Sequence, residues 1–232
     1  MGQPAPRPDQ PTEPHLRLLE KESGASLRWL DGVLLVGCAL PVAGLMAGIA
    51  VANTFVMGDV RKVFFCQERV GWRGRRFVLL KFRTMRDAVD ADGKPLSDQL
   101  RVTRFGRFLR NTHLDELPQI WNIVRGDMAF IGPRPEMVSA HEYACREVPG
   151  FEDRLAVRPG ITGLAQITQG YALVDADSYA TKLEIDRQFI RERSLGQHVR
   201  ILVGTIFWML RAKGWQASPP SAAPGQEPRK VA

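Results

Sequence analysis

The sequence contains little that would support a disulfide framework or a zinc knuckle. It has only three cysteines, Cys38, Cys66 and Cys145, and no Cys-x-x-Cys pair. Disulfide-rich domains and structural zinc sites both need cysteines at characteristic paired spacings. We therefore expect three reduced thiols in a reducing compartment.

Acidic residues are also in short supply. The 232 residues include 32 Lys and Arg against 25 Asp and Glu, which gives a formal net charge of +7. This excess favours an anionic partner, such as a phosphorylated substrate, acidic lipid or nucleic acid. No nucleic-acid recognition motif accompanies the basic residues, so we expect no nucleic-acid partner.

Charged residues are absent altogether from Gly32 to Gly58, a run composed mostly of aliphatic residues and glycine. The run is long enough for a transmembrane helix. Pro41 removes a backbone hydrogen bond about a third of the way along, and the two arms that it defines are each too short for a hydrocarbon core of ~30 Å. We predict a re-entrant helix-break-helix segment at 28–60 that returns to the same face. Basic residues flank the run on both sides, so a single span stays open as the alternative.

The two ends of the chain are rich in Pro, Ala, Gln and Ser and have little to bury. We predict a flexible tail at 1–27 and a disordered tail at 215–232. The length prior favours a single core of ordinary size, which we place at 61–214. The predicted fold class is α+β and membrane-associated, with a short β-hairpin and several amphipathic helices.

Residues 63–85 have the pattern of a β-hairpin. The stretches 63–65 and 77–80 are strand-like, and Gly71 and Gly74 mark the connection. The cations of this region are Arg69, Arg73, Arg75, Arg76, Lys81, Arg83 and Arg86. They form either a solvated surface or one that faces lipid head groups or a nucleotide diphosphate.

Two further segments combine apolar and basic residues at helical spacing. In 103–110, Thr103 can cap a helix whose apolar side chains share one face, with Arg104 and Arg107 on another. In 199–213, an apolar stretch with basic residues at its ends is too short to span a membrane comfortably. Each is predicted to be a helix that either packs on the core or lies at a membrane interface.

The pair Asp115-Glu116 is the pattern that carries most chemistry. Apolar residues in 114–124 recur at helical spacing, Pro118 is tolerated in a first turn and Gly126 can end the helix. The pair is thus predicted at a helix N-terminus, where it either caps the helix or supplies a nucleophile beside a carboxylate that binds a divalent cation. The second arrangement suits a diphosphate substrate, because a hard cation such as Mg²⁺ neutralises its oxygens.

Arg134 lies between Pro133 and Pro135. Each proline fixes its own φ and restricts the residue before it, so the arginine is presented from a stiff backbone. A guanidinium held in this way loses less entropy when it binds phosphate bidentately. Arg134 is therefore a candidate phosphate-binding residue.

Six segments occur in an order that is informative as a set. They are FCQERVG (65–71), KFRTM (81–85), LDELPQIWN (114–122), GDM (126–128), GPRPE (132–136) and RPGITGLAQ (158–166). The set resembles the bacterial sugar transferase family, the monotopic polyprenyl-phosphate phosphoglycosyl transferases. The resemblance runs from about residue 28 to residue 213, and the chain looks like the small type that forms a minimal catalytic unit.

The resemblance implies a phosphoglycosyl transferase that moves a sugar 1-phosphate from a UDP-sugar to undecaprenyl (polyprenyl) phosphate and releases UMP. It implies a place at the cytoplasmic face of the bacterial inner membrane, in contact with inner-membrane lipids. The reaction would initiate the synthesis of exopolysaccharide, capsule, O-antigen or a related glycan. The resemblance also favours the re-entrant helix at Pro41, and it leaves a homodimer open.

Carried over by position, Asp115 resembles the nucleophile that attacks the β-phosphate and becomes a phosphosugar-aspartyl intermediate. Glu116 resembles the ligand of an Mg²⁺ cofactor, and Arg134 resembles the arginine that contacts phosphate or nucleotide. The further phosphate-contact candidates are Arg110, Lys81, Arg83 and Arg158. For the last three, a purely structural role in the motif is an equal alternative.

A function from another class is a non-catalytic, membrane-bound scaffold that binds anionic lipid or a glycan-pathway partner through its basic surface. The intact carboxylate pair argues against a scaffold, which gains nothing from two adjacent carboxylates in a basic face. We therefore expect an enzyme.

Overall fold

The computed structural model describes residues 28–87, 89, 97–170 and 175–210 of the 232-residue chain. The predicted tails at 1–27 and 215–232 lie outside these residues. So do the last residues of the predicted amphipathic stretch 199–213.

The described part of the chain mixes α-helices with short β-strands, in agreement with the predicted α+β class. The α-helices are α1 (Arg28–Met57), α2 (Asp98–Arg101), α3 (Arg104–Thr112), α4 (Gln119–Val124), α5 (Val138–Glu147), α6 (Leu164–Thr168), α7 (Ala176–Arg191) and α8 (Leu195–Leu210). The strands are β1 (Phe64–Val70), β2 (Arg76–Phe82), β3 (Ala129–Ile131) and β4 (Gly160–Thr162). Short 3₁₀ turns lie at Val60–Lys62, Trp72–Gly74, Leu114–Glu116 and Phe151–Ala156.

Helix α1 is long, apolar and largely exposed. Its stretch Ala39–Met57 is long and apolar enough to cross a membrane, and only 11% of it is buried against the rest of the chain. Helical structure continues through Pro41, so the expected break into two separate helices is not observed. A proline removes only one backbone hydrogen bond, which allows a helix to bend at that point without being interrupted.

The two ends of α1 are tied to the rest of the protein. Near the start, Asp31 Oδ1 accepts a hydrogen bond of 3.0 Å from the backbone N–H of Phe130 in β3. Near the end, Asn53 is fully buried, and its Nδ2 donates to the backbone oxygens of Val63 and Arg83 at 3.0 and 2.9 Å. The middle of the helix is mostly exposed, so the contacts that hold α1 to the protein lie towards its ends.

Strands β1 and β2 form the antiparallel hairpin that the sequence predicts. The register runs from Phe64 opposite Phe82 to Val70 opposite Arg76. The connection contains Gly74, whose φ of +73° is a conformation that glycine adopts at little cost. The hairpin is therefore closed by the glycine turn that the sequence indicates.

Strands β3 and β4 form a two-stranded parallel sheet that the sequence analysis did not predict. Ala129 lies opposite Gly160 at its start. A Cβ atom at Gly160 would lie 2.1 Å from the backbone nitrogen of Gly132, so only glycine permits this close approach. The sheet places the Pro133–Pro135 turn directly after a buried strand.

The two predicted amphipathic segments form helices α3 and α8. Thr103 caps α3 as predicted, since its Oγ1 accepts a 2.8 Å hydrogen bond from the backbone N–H three residues later. Leu109 is fully buried, whereas its neighbour Phe108 is 52% exposed. In α8, Ile201 is fully buried and Phe207 is 59% exposed. Each helix packs one apolar face on the core and leaves other apolar side chains exposed.

Helix α7 joins two parts of the core. Tyr179 packs edge-on against Phe151, with ring centroids 5.5 Å apart, in a cluster that includes α5. Further along α7, Phe189 and Ile190 pack in a second cluster with Ile131 of β3. This packing fixes the strand that leads into the Pro-Arg-Pro turn.

Candidate active site

A left-handed residue turns the chain into the carboxylate pair. Helix α3 ends at Thr112, and His113 follows with φ +57°. The next residues form the 3₁₀ turn Leu114–Glu116, in which Asp115 and Glu116 are each only 8% exposed. Two acidic side chains are thus buried side by side.

The helix that follows starts later than the sequence analysis predicted. Helix α4 begins at Gln119, with Pro118 as its N-cap. Proline has no N–H to donate to the oxygen of Leu114, so Leu117 donates to that oxygen instead, at 3.3 Å, and the turn is 3₁₀. The predicted C-terminus is confirmed at Gly126, which has φ +82°. Neither end of the 3₁₀ turn nor the start of α4 shows a side-chain cap, so the capping role considered for the pair is not observed.

Glu116 is bound by two cations. Lys81 Nζ donates to Oε1 at 2.9 Å, and Arg134 binds both oxygens, with Nη1 at 3.0 Å from Oε2 and Nη2 on Oε1. Burial alone would raise the pKa of Glu116, but the charges of Arg134 and Lys81 hold it well below its usual range. Glu116 is therefore ionised and fixed in place.

Asp115 is in a different state from its neighbour. Its carboxylate makes no hydrogen bond to any residue that the structure describes. Burial and the charge of Glu116 raise the pKa of Asp115 to about 6, against the opposing effect of Lys81, Arg110 and Arg134. At neutral pH the group is an ionised carboxylate whose lone pairs are not committed to the protein, which is the state that a nucleophile requires.

Arg110 lies close enough to act on Asp115. Its Nε donates to Thr84 Oγ1 at 2.8 Å, which fixes the side chain against the segment that follows the strand carrying Lys81. The structure thus brings Lys81, Arg110 and Arg134 together around the pair, as expected for phosphate-contact candidates.

Two predicted candidates lie elsewhere. Arg83 Nη1 is 3.9 Å from Asp87. Arg158 Nε donates to the oxygen of Gly126 at 2.9 Å, and its guanidinium carbon lies 4.5 Å from the centroid of the Trp72 ring. These contacts favour the structural alternative for both arginines.

Sequence reasoning missed the ion network behind Arg134. Arg154 is 3% exposed, and its Nη2 donates to the backbone oxygen of Arg134 at 2.7 Å. The same guanidinium is 2.8 Å from Asp186, which is 1% exposed, and 3.5 Å from Glu136. Lys182 binds Glu136 from the other side. The network holds the backbone from which Arg134 reaches Glu116.

The two carboxylates of the pair offer oxygen ligands of the kind that Mg²⁺ binds. Among the described residues there is no group of three or more His, Cys, Asp and Glu side chains that could hold a metal ion. Mg²⁺ keeps several waters and needs only one or two carboxylates when substrate phosphates supply further ligands. Asp115 has its oxygens uncommitted, and Glu116 has about one acceptor site left beyond its three donors. The pair therefore fits a shared, substrate-dependent site.

Comparison with known proteins identifies similar sugar-phosphate transferases. A family model described as bacterial sugar transferase matches residues 24–212. The chain is 42% identical over 154 residues to the UDP-N-acetylgalactosamine-undecaprenyl-phosphate N-acetylgalactosaminephosphotransferase of Aeromonas hydrophila, which is 66% of this chain and 36% of that protein. It is 38% identical over 154 residues to the uncharacterized sugar transferase EpsL of Bacillus subtilis, which is 66% of this chain and 73% of EpsL.

A third relative is the UDP-glucose:undecaprenyl-phosphate glucose-1-phosphate transferase of Xanthomonas campestris. The identity is 36% over 188 residues, which is 79% of this chain and 38% of that protein. The chain thus spans little more than a third of the Aeromonas and Xanthomonas proteins. The family model, however, matches most of the chain, so this protein belongs to the bacterial sugar transferase family.

Proposed function

We propose that this protein transfers a sugar 1-phosphate from a UDP-sugar to undecaprenyl phosphate and releases UMP, which initiates the synthesis of a surface glycan. The names of two similar proteins specify a UDP-sugar and undecaprenyl phosphate as substrates. The observation that carries the proposal is the uncommitted carboxylate of Asp115 among three cations. Such a group can attack phosphorus, and the cations can neutralise the charge of a diphosphate.

In the first step, an oxygen of Asp115 attacks the β-phosphorus of the UDP-sugar. The new bond joins Asp115 to the sugar phosphate, and the bond from the β-phosphorus to the bridging oxygen breaks. The electron pair of that bond leaves with UMP. In the second step, a phosphate oxygen of undecaprenyl phosphate attacks the same phosphorus, and the carboxylate of Asp115 is released. One phosphate site serves both substrates in turn.

The cations around the pair have distinct parts in this scheme. Arg134 is held by Glu116 and by its backbone contact with Arg154, so its guanidinium is oriented before substrate binds. Lys81 and Arg110 supply further positive charge close to Asp115. Preorganised charge of this kind stabilises a phosphoryl group in transfer without reorganising at the moment of reaction.

Mg²⁺ would be held by Glu116 together with Asp115 and would neutralise oxygens of the diphosphate. This proposal follows from the donor set of the pair. The depressed pKa of Glu116 keeps a negative charge available for a cation at any pH near neutrality.

We also propose that α1 is a re-entrant membrane helix that bends at Pro41. Leu35 packs against the cluster that contains Leu79 of β2, and Ile49 belongs to the cluster that contains Phe82 of the same strand. Both ends of α1 thus pack on clusters that include residues of β2. The exposed middle of the helix would enter the lipid.

This topology would place the active site at the cytoplasmic face of the inner membrane, within reach of a lipid phosphate. The soluble UDP-sugar would arrive from the cytoplasm. The exposed apolar residues of α3 and α8, among them Phe108 and Phe207, would then contact inner-membrane lipids.

UMP release tests the activity. Purified full-length protein in nanodiscs is incubated with a panel of UDP-sugars, Mg²⁺ and undecaprenyl phosphate. We expect release by the wild type and by Asp177→Asn, which removes an exposed carboxylate of α7, but not by Asp115→Asn. No release by folded wild type with any donor would contradict the proposal.

Cysteine labelling tests the topology. In a variant without the three native cysteines, single cysteines are introduced near residues 17 and 213 and labelled in intact cells with an impermeant reagent. A re-entrant helix predicts the same accessibility for both positions. Labelling of one position alone would indicate a span.

A further inference from the structure

Arg69 lies on the same side of the hairpin as the active-site lysine. In the register of the hairpin, Lys81 is opposite Phe65, and Arg69 is opposite Phe77. Paired residues project from the same face, and so do residues two or four positions apart on one strand. Lys81 and Arg69 therefore mark two points about 13 Å apart on one face, at ~3.3 Å per residue.

The side chain of Arg69 reaches the Pro-Arg-Pro turn. Its Nη1 donates to the backbone oxygen of Pro135 at 3.0 Å, and its Nη2 donates to Gln67 Oε1 at 2.5 Å. The guanidinium is thus fixed beside the segment that carries Arg134. Two of its five N–H groups are used in these bonds.

Arg69 has no carboxylate partner of its own among the described residues, although the charges of Glu136 and Glu116 act on it. Within the described ranges Arg69 forms no ion pair, and its Nε is buried without a hydrogen-bond partner. Glu136, whose charge acts on Arg69, is already bound by Lys182 and Arg154. Burial and the nearby charge of Arg134 lower the pKa of Arg69 to about 10, which reflects the cost of a cation in this position.

An uncompensated, partly buried cation is expensive for a protein to keep. The cost is offset if an anion binds there in the working state. Arg134 lies within electrostatic range of both Lys81 and Arg69, so the three cations form a continuous strip along one side of the site. In the described part of the chain, the carboxylate of Glu116 is bound by Lys81 and Arg134 and forms no ion pair with Arg69.

We propose that Arg69 binds a phosphate group of the substrate at the end of this strip, on the far side of Arg134 from Lys81. This inference rests on the proposed function, because it takes the substrate to carry more than one phosphate. Two sources have this chemistry: the phosphate that leaves with UMP, and the phosphate of the polyprenyl acceptor. Both would be bound by the two Nη N–H groups of Arg69 that make no hydrogen bond within the described residues, since its Nε is buried.

The variants that test the proposal are Arg69→Gln, which removes the charge, and Arg69→Lys, which keeps it. Arg75→Gln removes an exposed arginine from the same hairpin and is the control. UDP with Mg²⁺ is titrated into full-length protein in nanodiscs, and a second set of nanodiscs carries undecaprenyl phosphate. We expect Arg69→Gln to weaken one of these ligands about 10–100-fold, the range for a lost charge-assisted hydrogen bond. Arg69→Lys should lose less, and the control should bind like the wild type.

The affected ligand identifies the source of the phosphate. Wild-type affinity of Arg69→Gln for both UDP and undecaprenyl phosphate would overturn the proposal, even if the protein releases UMP. Loss of UDP affinity in a protein that releases no UMP from any donor would support the binding role of Arg69 and contradict the proposed function instead.

Thermal unfolding separates binding from a purely structural role. If Arg69 is an uncompensated cation, the Tm of Arg69→Gln without ligand should equal or exceed that of the wild type, and the rise in Tm with saturating ligand should shrink. If Arg69 only supports Pro135, the Tm without ligand should fall and the ligand-induced rise should persist. That second result would overturn the proposal.

Discussion

Replacing Glu136 with glutamine should destabilise the protein at neutral pH far more than it does in acid. Glu136 is bound by Lys182 and lies 3.5 Å from Arg154, and its side chain is 12% exposed. Burial opposes its ionisation, but the charges of Lys182 and Arg154 lower its pKa from 4.5 to about 2. A carboxylate with a depressed pKa in the folded state adds stability above its usual pKa, and this contribution is lost as the pH falls towards 2.

The magnitude follows from the difference between 4.5 and about 2. Each tenfold change in proton affinity is worth about 1.4 kcal/mol, so the charge of Glu136 contributes roughly 3 kcal/mol at pH 7. At pH 3 the same relation leaves roughly 1 kcal/mol. Glu136→Gln should lose these amounts, because the amide keeps the shape of the side chain but not its charge.

The assay is urea unfolding of the full-length protein in detergent micelles at pH 7 and pH 3. The control is Glu147→Gln, which changes an exposed carboxylate at the end of the neighbouring helix α5. We expect the control to stay within about 0.5 kcal/mol of the wild type at both pH values. A loss of stability below about 1 kcal/mol for Glu136→Gln at pH 7, or an equal loss at pH 3, would show that the charge of Glu136 does not stabilise the fold in this way.

Three further predictions concern the site and the membrane helix. UMP release should fall as the pH drops through about 6, because Asp115 must be ionised to attack; in Glu116→Gln this acid limb of any residual activity should move to lower pH, since the neighbouring negative charge is gone. Arg134→Lys should lower UMP release about 10–100-fold, because lysine cannot bind both oxygens of Glu116 or of a phosphate in a bidentate manner. Arg125→Lys, at an exposed position, should not lower it. Asn53→Leu should lower the free energy of unfolding by about 1–3 kcal/mol, because it removes the hydrogen bonds from Asn53 Nδ2 to the backbone oxygens of Val63 and Arg83.

Local patterns predicted the parts of the site that are built locally. Two adjacent carboxylates shortly before a proline, and an arginine between two prolines, constrain the backbone within a few residues. The structure brings both into one site, where Arg134 binds Glu116. The hairpin could be predicted for the same reason, because a short glycine turn joins its two strands.

The boundary of helix α4 was predicted wrongly for an equally local reason. Over a stretch as short as 114–124, a 3₁₀ turn followed by an α-helix and one continuous α-helix give the same spacing of apolar residues. The missing N–H of Pro118 decides between them, because the α-helical hydrogen bond to Leu114 cannot form. A proline is compatible with the first turn of a helix, but here it also prevents the helix from extending back to Leu114.

Contacts between segments that are distant in the sequence could not be predicted from local sequence patterns. Arg154 and Asp186 are 32 positions apart, and Asp31 and Phe130 are 99 positions apart. Strands β3 and β4 have three residues each, too few for periodicity to mark them. Such pairings depend on how the elements pack, which no single segment encodes.

In the proposed mechanism, Asp115 carries the sugar phosphate between two half-reactions. The measurement that tests this role is the amount of UMP released when a UDP-sugar that supports turnover is supplied without undecaprenyl phosphate, with intact-protein mass spectrometry on the same sample. We expect release of at most one equivalent per protein and a mass increase equal to one sugar phosphate that is absent from Asp115→Asn. Turnover should begin only after undecaprenyl phosphate is added. Sustained turnover by Asp115→Asn, or UMP release by the wild type only when undecaprenyl phosphate is present and with no adduct, would contradict this mechanism.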